Sequence, residues 1–193
     1  MKRTISAYQI CFLALFVVLN FVGGQLALML RLPIYLDSIG TFLTGALLGP
    51  WFGMVPSLLN GVIMGMTVDI YSLYFAPTGM IIGFMSGLVF RWWKKNQAGP
   101  AQMIRIFAAA LLISLPGTVA SALTCGVLFG GVTSSGSTIL VQLLSKTPLG
   151  LTGSIIAVQI VTDYLDRVIS LFVVLAFLKV LPANFKAKLK GDA

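Results

Sequence analysis

Three charged residues, Asp163, Asp166 and Arg167, interrupt an otherwise apolar stretch near the C-terminal end of the chain. A charge at membrane depth costs at least about 2.5–3.5 kcal/mol on insertion scales, so such residues pair with one another and face a protein interior or a cavity. Asp163 and Arg167 stand four apart and share one helix face, which predicts an ion pair and leaves Asp166 on a neighbouring face. Gln159 lies one turn before Asp163. This spacing offers the chemistry of holding a polar solute, an ion or a partner. The plainer alternative is an ion pair that fixes one helix against another.

Other chemistries find few residues to use. The chain has no histidine and no glutamate, so no Ser–His pair, zinc motif or paired-glutamate site is available, and an enzyme is not expected. Proton relays in transporters draw on Asp, Glu and His chains, so proton-coupled transport is poorly supplied. Cys11 and Cys125 both lie in apolar segments and read as small buried hydrophobes, with no disulfide framework or metal spacing.

Composition sets the scale for the elements that hold these residues. The 193 residues are 58% hydrophobic and 9% charged, against about 25% charged in a soluble domain. An all-α integral membrane protein is expected. At about 20 residues per span, six helices and short connectors fill the chain as a single domain, residues 1–193, with no room for a soluble module. No Walker-type glycine loop is present. The net charge of +8 places cations at span ends, which explains them through topology rather than nucleic-acid binding.

Apolar runs and breakers predict helices over residues 6–30, 36–48, 51–68, 75–92, 104–128 and 153–181. The run after Met1-Lys-Arg-Thr is longer than a signal-peptide core and reads as a first true span. The second and third helices are short for a ~30 Å hydrocarbon core and meet at Gly49-Pro50. The Arg91-Trp-Trp-Lys-Lys95 run ends the fourth helix at an interface, residues 96–100 form a loop, and Pro116-Gly117 predicts a kink in the fifth helix. The cations at Lys2 and Arg3, around Arg91–Arg105 and from Lys179 onwards all fall on one side only if there are six spans. That side is the cytoplasm, with both termini inside.

The same topology turns residues 31–37, 69–74 and 130–153 outward. These connectors carry Arg31, Tyr35, Asp37, Asp69, Tyr71, Tyr74, Gln142 and Lys146. Asp163 lies about 15 Å below the outer end of the last helix at 1.5 Å rise per residue. The tyrosines fit either a stacking site for a flat polar ligand or an interfacial aromatic belt. Arg31, Tyr35, Asp69, Tyr71, Tyr74, Lys146, Gln159, Asp163 and Arg167 are the candidate binding residues. Asn20, Gln25 and Asn60 read as interhelical hydrogen-bonding groups. Ladders at Gly61/Gly65 and Gly79/Gly83/Gly87, and the small pair Ala7/Cys11, mark faces for close helix approach.

The stretch Leu36-Asp-Ser-Ile-Gly-Thr-Phe-Leu-Thr-Gly-Ala-Leu-Leu-Gly-Pro-Trp-Phe-Gly53 resembles the substrate-binding S components of energy-coupling factor (ECF) vitamin transporters. Residues 69–87, with Tyr-Ser-Leu-Tyr-Phe-Ala-Pro, fit the same family. The resemblance covers most of the chain through hydropathy and glycine pattern rather than a catalytic signature. It implies capture of a vitamin from outside a prokaryotic plasma membrane. It also implies docking on a transmembrane coupling protein with two cytoplasmic ATPases, and toppling in the membrane to release the ligand. ATP and magnesium would belong to those partners, with no cofactor in this chain. The family docks through an Ala-x-x-x-Ala pattern on its first helix, for which Ala7-x-x-x-Cys11 is the nearest match. The resemblance is nearest to the cobalamin group, with queuosine precursors as rival. Two other classes stand beside it: a self-sufficient secondary transporter or small channel, and a membrane assembly or signalling subunit without a small ligand.

Overall fold

The computed structural model describes residues 6–92 and 100–190. Among the described residues every regular element is helical. The elements are α1 (Ala7–Met29), α2 (Ile39–Leu48), α3 (Pro50–Thr67), α4 (Ile70–Trp92), α5 (Pro100–Leu123), a five-residue π-helical turn (Thr124–Leu128), α6 (Ser137–Leu144), α7 (Gly150–Val180) and α8 (Ala183–Lys190). By length and composition, α1, α4 and the segment Ala101–Leu128 are long and apolar enough to cross a membrane. The 31 residues of α7 are longer still, but its middle carries the three charges.

Local signals account for several boundaries. The Ser6 hydroxyl accepts the Gln9 N–H at the start of α1, and the Gln9 side chain returns the bond to the Ser6 N–H. This reciprocal box satisfies two donors that a helix start otherwise leaves open. Between α2 and α3, Gly49 sits at φ 95°, a conformation that favours glycine, and Pro50 opens the next helix.

Three sequence expectations need correction. The fourth helix begins at Ile70 rather than 75, so Tyr71 and Tyr74 lie in its first two turns. The long connector after α5 is only partly irregular, because it contains α6 and α7 already starts at Gly150. Cys11 is exposed while Cys125 is buried, so only one of the two is a core hydrophobe. The expected cations Lys2, Arg3, Lys94 and Lys95, Trp93 and the loop at 96–99 lie outside the described residues.

Small residues build the tightest part of the bundle, where α3 lies against α4. A Cβ added at Gly83 would meet the backbone of Gly53 and Met54, and one added at Gly53 would meet the Gly83 carbonyl. Both glycine ladders are therefore spent inside this bundle, where backbones approach too closely for side chains. Asn20 does the cross-linking expected of it: its amide donates to Thr41 Oγ1 at 2.8 Å and accepts the Gly40 N–H at 2.7 Å. The main apolar core joins Phe16, Phe42, Leu43, Ile82, Ile113, Leu171 and Val174 from five helices. The buried stripe of α7 repeats every three or four residues and is unusually polar, from Ser154 through Gln159, Asp163, Asp166 and Arg167 to Ser170.

Candidate binding site

At the end of the bundle where residues 31–38, 69 and 130–136 meet, the helices part around a cavity. It holds about 930 Å³ of empty space, its open mouth included. The part of it that a water-sized molecule can occupy is about 110 Å³, below the roughly 300–1,000 Å³ typical of small-molecule sites, so it suits a compact ligand. Its walls are Gly24, Ala27 and Leu28 of α1, Tyr35, Asp37 and Ser38 of the first connector, and Ser57, Asn60 and Met64 of α3. Asp69, Tyr71, Phe75 and Thr78 close it from the α4 side, and Ser121 from α5. Thr133, Ser134 and Ser135 lie across the mouth, and Asp163 and Arg167 reach it from α7.

The α7 charges are arranged differently from the expected pair. Arg167 forms its salt bridge with the adjacent Asp166, and its Nη1 also donates to Ser38 Oγ at 2.9 Å. Asp163 instead accepts the Thr118 hydroxyl from α5 at 3.0 Å. The long, bending arginine side chain overrides the simple four-residue rule. Asp166 then uses its second oxygen to accept the backbone N–H groups of Tyr35, at 3.2 Å, and Leu36, at 2.8 Å. Leu36 has φ 54°, unusual for a residue with a Cβ. A buried ion pair on α7 thus holds a strained connector in the shape that makes the cavity wall.

The first connector carries two shifted groups. Burial pushes the Asp37 carboxyl up to about 6, and the neighbouring Asp166 carboxylate pushes the same way, against Arg167 and the Ser38 hydroxyl. The Ser38 hydroxyl donates to Asp37 Oδ1 at 3.3 Å. Burial, and then the Asp163 carboxylate, hold the Tyr35 phenol above its ordinary value, while the Ser137 and Ser135 hydroxyls oppose them.

The mouth is closed by one polar bridge and one close backbone approach. Asp69 Oδ2 accepts Ser134 Oγ at 2.8 Å and Ser72 Oγ at 3.0 Å. A Cβ at Gly136 would strike the Arg31 carbonyl, so the two connectors lie directly against each other. Beside them, Phe129 stacks edge-on against Tyr71 at 4.7 Å and Tyr74 at 5.4 Å between ring centroids.

Of the nine residues expected to bind, Tyr35, Asp69, Tyr71, Asp163 and Arg167 line the cavity. Arg31 and Lys146 are exposed and do not line it. Tyr74 is 48% exposed and packs on Phe129 outside it. Gln159 is buried with its Oε1 unpartnered but is not in the cavity wall. Sequence reasoning placed Asp37 in an outward connector, read Asn60 as an interhelical group and Asp166 as part of the helix charge cluster, but left all three out of the candidate binding residues and gave Ser38 no role. Asn60 is 3% exposed, lines the cavity, and has no hydrogen-bond partner for its Oδ1. Its signal was that of a lone amide in an apolar helix, the same signal Asn20 gives. Ala7 and Cys11 both lie on the exposed face of α1.

Among the described residues no group of three or more Asp, Cys, Glu or His side chains stands close enough to hold a metal ion. Compared with known proteins, the chain matches no family model, no curated protein and no solved structure.

Proposed function

We propose that this chain is the membrane-embedded substrate-binding component of an ECF-type vitamin importer. In this reading six helices cross a prokaryotic plasma membrane, α7 among them, and both termini are cytoplasmic. The cavity opens outward, and the small-residue face of α1 at Ala7 and Cys11 meets a transmembrane coupling protein. Two ATPases on that partner supply the energy, with their own ATP and magnesium. Cobalamin is the first candidate ligand and a queuosine precursor the second.

One observation carries the reading furthest. An apolar bundle spends its buried charges on shaping a compact polar cavity, and Asn60 in its wall has an unpartnered Oδ1. A buried amide oxygen without a partner costs about 1–3 kcal/mol, which a bound ligand would offset. The exposed small face of α1 is the second support, since close helix docking needs small side chains.

The test is purification from native membranes, with mass spectrometry of the co-purifying subunits and small molecule, followed by reconstitution. Uptake into vesicles should require the partner subunits and ATP. Accumulation by the chain alone would overturn the importer reading in favour of a secondary transporter. Capture of partners without any small molecule would point to an assembly subunit.

A further inference from the structure

Charge is distributed unevenly between the cavity and the rest of the chain. The sequence holds thirteen Lys and Arg residues against five acids. Yet Asp37, Asp69 and Asp163 line the cavity, and Arg167 is the one cation among its lining residues. Arg167 is already matched by Asp166, which pairs with it from within α7. The two cations expected at the mouth, Arg31 and Lys146, do not line it. The lining therefore carries a surplus of three carboxylates in a protein whose net charge is +8.

A second, independent feature points the same way. Asn60 is buried in the cavity wall with its acceptor oxygen unpartnered, so a ligand N–H that reached it would satisfy it. Tyr71 and Phe75 add aromatic rings to the same wall. Aromatic faces attract cations within about 6 Å, and more strongly where water is excluded. The carboxylates stand apart rather than in a group of three among the described residues. Acids spread around an apolar, aromatic chamber suit an organic cation with several N–H donors.

We infer that the ligand of this cavity is a compact organic cation bearing a protonated amine or amidinium group, held between Asp163, Asp37 and the Asn60 carbonyl. The inference deepens the importer reading, rests on it only for the direction of transport, and displaces cobalamin, which is neither compact nor an amine cation, as its first candidate ligand. Opposite charges at close range in a poorly solvated site attract far more strongly than in water, so charge becomes the main discriminator. Asp69, at the mouth, would draw the cation in before the inner carboxylates bind it.

The experiment uses the full chain in lipid nanodiscs and three probes of similar shape: benzamidine, benzyl alcohol and benzoate. Benzamidine should bind at least about tenfold more tightly than benzyl alcohol, and benzoate should bind least. Asp163→Asn should reduce benzamidine binding about tenfold more than it reduces benzyl alcohol binding. Should that variant unfold, Asp37→Asn supplies the same comparison, with thermal unfolding as the control for folding. Equal binding of the three probes, preference for benzoate, or no binding of any of them overturns the inference. A small molecule extracted from the native protein that is neutral or anionic also overturns it, and leaves the importer reading standing. Uptake of a cation by the chain alone would do the reverse.

Discussion

Asp166 Oδ1 accepts the Leu36 N–H at 2.8 Å, tying the middle of α7 to the connector between α1 and α2 across 130 positions of sequence. The other oxygen of the same carboxylate holds Arg167, and Arg167 holds Ser38. One buried pair therefore fixes both ends of a short strained segment, and that segment carries Tyr35 and Asp37 into the cavity wall.

Breaking the pair should cost more than deleting it. Asp166→Asn leaves the Arg167 guanidinium buried without its paired carboxylate, and Arg167→Gln leaves Asp166 with only its backbone N–H partners. Each should destabilise the protein by about 3–5 kcal/mol, and the double variant by less than either. Thermal unfolding of the four proteins in one detergent measures the cycle. Additive losses would mean that the two residues act independently.

The two tyrosines at the start of α4 should separate. Tyr71 lines the cavity, so Tyr71→Ala should weaken binding of the co-purified ligand by about 1–3 kcal/mol. Tyr74 packs against Phe129 and is half exposed, so Tyr74→Ala should change affinity by much less. Titration calorimetry on both variants decides. Equal losses would place Tyr74 in contact with the ligand.

Asp37 sets a pH dependence. Its carboxyl is raised from 3.8 to about 6 in the folded protein. The folded state thus holds this proton more tightly than the unfolded chain, and the contribution of Asp37 to stability falls as pH rises from near 4 to about 6. Asp163, Asp166 and Arg167 of α7 and the adjacent Ser38 are the charged and polar groups that act on it. A cationic ligand reverses the preference, because it favours the ionised form. Affinity for benzamidine should therefore increase as pH rises through about 6, and Asp37→Asn should flatten that profile. A profile of unchanged slope in the variant would assign the titration to another group.

The α1 face gives the transport test. Ala7→Trp or Cys11→Trp places a large ring on an exposed helix face, where it disturbs no packing inside the bundle. Ligand binding should persist while partner-dependent uptake is lost. Normal uptake in both variants would move the docking surface elsewhere.

The parts of the fold visible in the sequence were those governed by local chemistry. Gly49-Pro50 marked the α2–α3 break because it joins a glycine at positive φ to a helix-opening proline. The glycine ladders marked α3 and α4 but not their mutual contact, since spacing along one helix does not name its neighbour. The turn of α4 at Tyr71 was hidden by the polar residues around it, which resemble loop composition. The site was half visible for a similar reason. Asp163 and Arg167 stood out against an apolar background, whereas Asp37 lay in a polar connector where nothing local says which side chain turns inward. The Asp166–Arg167 pair escaped a rule that compares Cβ directions and ignores the reach of a bending arginine. Asn20 and Asn60 look alike in sequence; only the packing of α2 against α1 satisfies one, while the other keeps an unpartnered oxygen.

The backbone contact between Gly53 and Gly83 also governs how this chain can diverge. A mutation at either position meets main-chain atoms, which no neighbouring side-chain change can move aside. Compensation in one step is therefore closed, and drift must accumulate elsewhere: on the outward faces, in the connectors and among the cavity residues that choose a ligand. A lineage built on this pair of helices would alter its cavity lining more readily than it could lose the two glycines of this contact.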